Sequence, residues 1–237
     1  MIQQKSFLAL GGAILSTLFF PVSLTSQDES RAIKPDKVVN LLSDPKLSGF
    51  THHLNDKSSL TMDPLEIWKI SEGEMLVTGE GMGYLRTKQA YRDYHLVLEY
   101  KWGERTVAGR ADRARDCGLL IHAFGPDGAY GNTWMSCIEA QLIEGGSGDF
   151  LVLGAKGEDG KIAPTSITAT VTDDRDGEPV WDPKGEKRTF PLEGKTMARV
   201  NWRDRDPDWA DVKGFMGPKD IENPLGEWNR LEVICRG

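Results

Sequence analysis

The sequence predicts an all-β fold, a sandwich or barrel, from three observations. Short segments of alternating apolar and polar residues recur along the chain, and loops rich in Pro, Gly and Asp, such as residues 125–131 and 173–185, separate them. Helical patterns are confined to a turn near residues 36–42 and a shorter one around 88–92. The composition, with 39% apolar residues, is that of a globular chain.

Each strand is predicted from its local pattern. Residues 68–78 hold two apolar segments around a Glu-Gly turn, which indicates a hairpin. Residues 95–102 alternate, with Leu96 and Trp102 on the apolar face and Glu99 on the polar one. The remaining predicted strands cover residues 84–87, 118–123, 136–143, 150–153, 166–171, 198–202 and 230–235.

Charge and cysteine content exclude two classes of protein. With 29 Lys and Arg against 36 Asp and Glu, the chain lacks the basic surface that nucleic-acid binding needs. Three cysteines are too few for a disulfide scaffold, so a hydrophobic core must stabilise the domain. Cys117 and Cys137 either form a disulfide that leaves Cys235 over, or all three are small buried residues; the odd number favours the second interpretation.

The N-terminus is typical of a secretory signal peptide over residues 1–26. Lys5 precedes a stretch over residues 7–20 that contains no charge. A short membrane anchor is the weaker alternative, because about 20 apolar residues are needed to span a bilayer. We therefore expect a secreted or periplasmic protein with no stable membrane insertion after cleavage, a linker over residues 27–37 and a domain over residues 38–237.

The most informative segment for function is the predicted strand over residues 136–143. Alternation places Ile138 and Leu142 on the core face, and Glu139 and Gln141 on the opposite face, about 7 Å apart. A carboxylate and an amide can bind sugar hydroxyls, and a carboxyl can act as acid or base. A strand whose second face is merely solvated is an equally open alternative.

Five other residues are candidates for a site. His122 ends a predicted strand, and histidine as a residue type is suited to proton transfer near neutral pH, although a structural histidine is the commoner case. Tyr84 and Arg86 share a face and could clamp a sugar. Glu99 lies on the polar face of its strand, and Trp102 is either a stacking platform or part of the core.

Four segments carry a resemblance to a known family: Gly-Tyr-Leu-Arg-Thr at 83–87, Leu-Glu-Tyr-Lys-Trp at 98–102, Asp-Cys-Gly-Leu-Leu-Ile-His at 116–122 and Ile-Glu-Ala-Gln-Leu-Ile-Glu-Gly-Gly-Ser-Gly-Asp-Phe at 138–150. Together they resemble the 3-keto-disaccharide hydrolase domain family, from near Val38 to the last residue. Two positions depart from the family pattern, because Cys117 stands where Ser is usual and Ala140 where a bulkier residue is common.

The resemblance implies a concanavalin A-like jelly-roll β-sandwich with its site on the concave face. In the family, further strands follow the segment at 226–237, so the resemblance also predicts that the last C-terminal strands of the sandwich are missing here. The implied reaction is hydrolysis of glycosides oxidised at C3. A base removes the proton at C2, the C1 group leaves and water adds.

On this resemblance, His122 and Glu139 are expected to transfer protons. Gln141, Glu144 and Arg86 are expected to position the substrate or the enolate. A divalent metal held by His122 and Glu139 stays open, and no other cofactor is implied.

Two alternatives remain from the sequence. A non-catalytic, lectin-like carbohydrate-binding module would use the same fold, since fold alone does not decide function. Ordinary glycosidase action by two carboxylates is weaker, because Gln141 occupies the next position on the face of Glu139.

Overall fold

A computed structural model describes residues 32–55, 63–106, 110–155 and 165–237. Residues 1–26, predicted as a signal peptide, and the first part of the predicted linker lie outside the described residues. The described ranges form thirteen strands and one helix, α1, whose four residues fall far short of a membrane span. The elements are β1 Phe50–Leu54, α1 Pro64–Ile67, β2 Trp68–Ser71, β3 Glu74–Val77, β4 Gly83–Thr87, β5 His95–Tyr100, β6 Asp116–Phe124, β7 Ser136–Ile143, β8 Phe150–Leu153, β9 Ile167–Asp173, β10 Pro179–Trp181, β11 Glu186–Phe190, β12 Met197–Val200 and β13 Asn229–Ile234.

The all-β prediction is confirmed, and so are most of the individual strands. β7 and β8 cover the predicted residues, and the predicted hairpin is present as β2 paired antiparallel with β3. Its turn needs left-handed backbone at Glu72 and Gly73, with φ of 55° and 82°. The jelly-roll topology and the missing terminal strands stay predictions.

Some local predictions were wrong. Residues 36–42 form a bend and a turn, and residues 88–92 form a bend followed by an isolated bridge between Tyr91 and Ile33, so neither segment is helical. In the first, the side-chain oxygen of Asn40 accepts from the backbone N–H of Leu42 at 3.0 Å, a local bond that competes with helix formation. Strands β1, β10 and β11 were not predicted, because β1 lacks regular alternation and the two others are embedded in loop-like sequence.

The candidate site is built on a four-stranded antiparallel sheet with the order β12-β8-β7-β6. Its apolar face contributes Val152 and Val200 to a buried cluster that also contains Val171 and Phe190 from the three-stranded sheet β10-β9-β11. Burial of these side chains in the hydrophobic cluster fixes which face of β7 points inward. The opposite face is therefore free to carry polar side chains.

A second cluster packs the N-terminal strands together. Leu47, Ile67 and Trp68 form its buried centre, with partly buried Phe50 and Leu85 against them. These residues come from α1, the β1-β4 pair, the start of the β2-β3 hairpin and the segment before β1. The β4 strand and its Tyr84 and Arg86 are positioned by this packing.

All three cysteines are free thiols. Cys117 pairs in register with Leu142, on the apolar face, whereas Cys137 stands on the same face as Glu139. Since the two cysteines point to opposite faces of the sheet, they cannot form a disulfide here. Cys137 and Cys235 are buried as expected, but Cys117 is exposed, against the expectation of three buried thiols.

Candidate active site

The polar face of β7 gathers side chains from four strands. Glu139 pairs with Leu120 of β6 on one side and with Leu151 of β8 on the other, and Leu151 pairs in turn with Arg199 of β12. Cross-strand partners share a face of a sheet. Glu139 and Arg199 therefore lie in one row on the same face, as the alternation in β7 predicted for Glu139.

Gly118 makes room for the Glu139 carboxyl group. A Cβ atom placed on Gly118 would stand 1.9 Å from Glu139 Oε1 and 2.7 Å from its Cδ, so no other residue fits there without moving Glu139. Gly118 is the register partner of Gln141, which lies two residues beyond Glu139 on the same face of β7. The carboxyl group thus reaches diagonally over the bare backbone of β6.

The Glu139 carboxyl group has a pKa near neutrality. Its pKa is raised to about 7, first by burial and then by the negative charge of Asp116, while Arg199 acts in the opposite direction. Among the described residues, none donates a hydrogen bond to this carboxyl group. A half-buried carboxyl without a partner is typical of a functional group rather than a structural one.

Asp116 is a second carboxylate on this face that was not among the predicted site residues. It accepts a hydrogen bond from Gln141 Nε2 at 2.7 Å and lies 3.4 Å from Arg110. Burial raises the pKa of Asp116 as well. The sequence could have shown this, because Asp116 lies two positions before Gly118 and therefore on the same face of the strand. It was missed because the predicted strand began at residue 118, two residues too late.

Gln141 is brought next to Glu139, as predicted, but its amide is occupied. Its side chain is buried and donates to Asp116, and its backbone N–H donates to the carbonyl of Asp149 at 2.9 Å. The amide therefore orients Asp116 in this structure.

Arg199 was also missed, and it supplies the positive charge of this face. Its Nη1 donates to Asp149 Oδ2 at 2.9 Å, and Asp149 is fully buried. A charged residue between Ala198 and Val200 in a strand was a visible signal. The pairing of β12 with β8, which places Arg199 in line with Glu139, could not be read from one sequence.

His122 lies in the irregular part of β6. Its backbone is left-handed, with φ of 52°, and the register with β7 shifts between Ile121 and Phe124. The side chain is exposed, two residues beyond Leu120, the register partner of Glu139. A bulge of this kind redirects a side chain relative to the regular strand.

The described residues offer poor support for the metal hypothesis. Nowhere in the described ranges do three or more His, Cys, Asp or Glu side chains come together as metal ligands. The pair His122 and Glu139 alone would leave most of a coordination sphere unfilled.

Tyr84 and Arg86 lie beside the connection between β6 and β7. The buried Tyr84 hydroxyl donates to Asp127, and its ring stacks on Trp134 with centroids 6.3 Å apart. Arg86 Nη1 is 3.8 Å from Asp127 Oδ1 and 3.2 Å from the sulfur of Met135. Both residues thus anchor the loop that follows His122, and the Arg86 side chain is partly exposed there.

Glu144 is buried in an ion pair. Its Oε1 accepts from Arg115 Nη1 at 2.5 Å, and its Oε2 accepts from the backbone N–H of Arg115 at 3.2 Å. Only 6% of the residue is exposed. This environment favours a structural role over the predicted contact with substrate.

Glu99 and Trp102 belong to a different part of the fold. Glu99 is exposed and its Oε1 lies 3.5 Å from Arg230 Nη1, in the β13-β5 pair. Trp102 Nε1 donates to the buried Glu222 at 2.8 Å, and the Tyr100 hydroxyl donates to the same oxygen at 2.9 Å. Trp102 is therefore held as part of a polar network, and the structure does not bring Glu99 to the face of Glu139.

One sheet face of this all-β domain carries two carboxyl groups of raised pKa and an arginine. Such an arrangement is typical of enzymes that use acid–base catalysis. The chain belongs to the family described as 3-keto-alpha-glucoside-1,2-lyase-like domain, whose model matches residues 37–237. This confirms the resemblance found in the sequence, and the family description names an enzymatic activity on a carbohydrate. No curated protein and no solved structure matches the chain.

Proposed function

We propose that this protein acts on 3-keto-glycosides, and that Glu139 is the base that removes the proton at C2. The observation that carries the proposal is the Glu139 carboxyl group itself. It is half-buried, has no hydrogen-bond donor among the described residues, and has a pKa of about 7. Such a group exchanges a proton readily near neutral pH.

The C3 ketone explains why a single carboxylate can start this reaction. The hydrogen on C2 is adjacent to the carbonyl and is therefore acidic. When Glu139 takes that proton, the C–H electron pair forms a C2=C3 enolate. The enolate electrons then form a C1=C2 double bond and the C1–O bond breaks, so the departing oxygen leaves with the bonding pair and takes up a proton.

The remaining steps need an acid and water. His122 is our candidate for the acid that protonates the departing oxygen, since it lies just past the register partner of Glu139 on β6. Addition of water at C1, with return of a proton to C2, would complete a net hydrolysis. The lyase-like family description supports the elimination, and hydration is the further part of the proposal.

Asp116 and Gln141 support the base in this scheme. The negative charge of Asp116 disfavours ionised Glu139, which keeps its pKa close to neutrality. Gln141 holds Asp116 in place through the 2.7 Å hydrogen bond. Arg86 and Tyr84, beside the β6-β7 connection, are candidates to contact the leaving sugar. Export through a signal peptide at residues 1–26 belongs to the proposal on sequence grounds.

One observation favours a second candidate function. Asp116 provides the second carboxyl group on the face of Glu139 that ordinary glycoside hydrolysis would require. Such an enzyme would act on the unoxidised sugar and would not remove the C2 proton. The two reactions can therefore be separated by the choice of substrate.

The test compares a 3-keto-disaccharide with its unoxidised parent, each also prepared with deuterium at C2. We expect turnover of the keto substrate alone, slowed by C2 deuteration, and its loss in Glu139→Gln. Glu99→Gln is the matched control, because it makes the same change at an exposed site. Turnover of the parent without an isotope effect would favour the two-carboxylate reaction. Binding of both sugars without turnover would favour a lectin-like module.

A further inference from the structure

A buried charge cluster stands next to the polar face of β7, and it has no part in the proton transfers assigned to Glu139 and His122. Its centre is Asp149, which is fully buried and accepts from Arg199 at 2.9 Å, from Arg205 at 2.6 Å and from the backbone N–H of Trp202 at 2.9 Å. Burying a carboxylate is costly unless it is paired and hydrogen-bonded. Asp149 meets both conditions, and it fixes two guanidinium groups.

The two arginines on Asp149 have different surroundings. Arg205 is almost fully buried and stacks on the Trp209 ring, with 4.8 Å from its central carbon to the ring centroid. Its Nη1 also donates to Asn201. Arg199 is 29% exposed, and within the described residues its hydrogen-bonded partner is Asp149, through Nη1. Its other N–H donors are therefore available to a ligand.

Arg199 also stands at a suitable distance from Glu139. The two residues are separated by one strand in the sheet, so their Cα atoms are about 10 Å apart across the row. Both side chains lean toward the same end of the sheet, Glu139 over Gly118 and Arg199 toward Asp149. A base and a cation therefore lie on one face of the sheet, on either side of Leu151.

The neighbouring cation is less suited to bind a ligand. Arg110 Nη2 donates to the carbonyl of Ala114 at 2.9 Å and to Asp211 at 3.3 Å, and it lies 3.4 Å from Asp116. The charge of Arg110 is thus shared among groups of the protein itself. Arg199, by contrast, has a single carboxylate partner, Asp149.

We infer that Arg199 binds the C3 oxygen of the substrate and stabilises the enolate, and that Asp149 is the positioning residue that aims Arg199 at it. The inference rests on the proposed function. When the C2 proton leaves, negative charge accumulates on the C3 oxygen. A fixed cation or donor at that oxygen is worth more in the transition state than in the ground state.

The experiment measures kcat and kcat/KM for a 3-keto-disaccharide against pH in Arg199→Met, Arg199→Lys and Arg205→Met. Arg205→Met is the matched control, because it removes the other cation of Asp149 without touching the sheet face. We expect Arg199→Met to lower kcat by about 10²–10³-fold. Its acid limb should move to higher pH, because Arg199 holds the pKa of Glu139 down.

The control and the conservative variant sharpen this test. Arg205→Met, assayed where it is folded, should keep the acid limb of the wild type and lose far less turnover. Arg199→Lys should restore the acid limb and only part of kcat, since an ammonium keeps the charge but not the guanidinium geometry. Equal losses in Arg199→Met and Arg205→Met, with both acid limbs unmoved, would show that the cluster only stabilises the fold.

The role of Asp149 is tested by a double-mutant cycle. Asp149→Asn should lower kcat, and Asp149→Asn combined with Arg199→Met should lose no more than Arg199→Met alone, because both act through one guanidinium. If Asp149→Asn does not fold, Asp149→Glu takes its place. Losses that multiply would refute the positioning role.

These outcomes are distinct from a failure of the proposed function. If the wild type does not turn over the keto substrate, the proposed function falls. If the wild type is active and Arg199→Met is equally active, only the enolate role of Arg199 falls.

Discussion

Replacing Gly118 by Ala tests whether the Glu139 carboxyl group occupies the space over β6. The three atoms nearest to a Cβ at this position are Oε1, Cδ and Cγ of Glu139, at 1.9, 2.7 and 2.8 Å. Since φ of Gly118 is not left-handed, Ala is compatible with the backbone. The substitution should therefore act on Glu139 and leave the fold intact.

The expected magnitudes follow from this geometry. Ala in place of Gly favours a strand by about 0.5–1 kcal/mol when nothing obstructs it. Glu139→Ala removes all three obstructing atoms, so Gly118→Ala should be stabilising by that amount in the Glu139→Ala background. With Glu139 present, the carboxyl group must leave its position, and the coupling energy between the two substitutions should be about 1–2 kcal/mol.

Urea unfolding of the wild type, the two single variants and the double variant measures this coupling. Turnover provides an independent readout, because displacing a catalytic group by about 1 Å can cost about 100-fold in rate. We expect Gly118→Ala to be folded and nearly inactive. Additivity within about 0.5 kcal/mol, together with wild-type turnover, would refute our placement of the Glu139 carboxyl group.

The remaining predictions concern four acidic residues. The pKa of Glu139 is raised from 4.5 to about 7, so kcat/KM should rise with pH through about 7. The same shift gives a contribution to folding stability that is full below pH 4.5 and is lost as the pH rises through 7. Glu139→Gln should therefore be more stable than the wild type at pH 8, by up to about 3 kcal/mol in urea unfolding. Glu144→Gln should cost about 3 kcal/mol of stability, because it leaves the buried Arg115 without its counter-charge, while the acid limb of the rate profile stays in place. Glu222→Gln should cost about 2–3 kcal/mol in the same assay with turnover per folded molecule unchanged, because the buried carboxylate accepts four hydrogen bonds. Glu99→Gln should change stability by less than about 1 kcal/mol; a larger loss, or an acid limb that moves in Glu144→Gln, would contradict these assignments.

The sequence was a good guide wherever the information is local. Alternation alone placed Glu139 and Gln141 on the face opposite Leu142, and the strand bounds of β7 were right. A Glu-Gly turn was enough to identify the β2-β3 hairpin. These features depend on side-chain period and turn chemistry, which are encoded within a few residues.

The site was only partly predictable, because its other members come from distant strands. Arg199 lies in one row with Glu139 because β12 pairs with β8 and β8 pairs with β7. A single sequence does not specify these pairings. The environment of Glu144 was equally hidden, because its partner Arg115 lies 29 positions earlier in the chain. Conversely, Glu99 was chosen only because it lies on the polar face of its strand. That strand, β5, pairs with β13 and does not belong to the sheet that carries Glu139.

The position of β7 inside its sheet determines under what conditions Glu139 can be displaced. β7 is hydrogen-bonded to β6 on one side and β8 on the other, and Gln141 exchanges two backbone hydrogen bonds with the turn that leads into β8. Amides in such a strand exchange with solvent only when much of the domain opens. We therefore expect the amides of β7 to exchange slowly and the placement of Glu139, the proposed base, to be lost together with global folding. The loop carrying Asp127 and Trp134 lies outside these ladders, so substitutions there leave the hydrogen bonds that hold β7 in place.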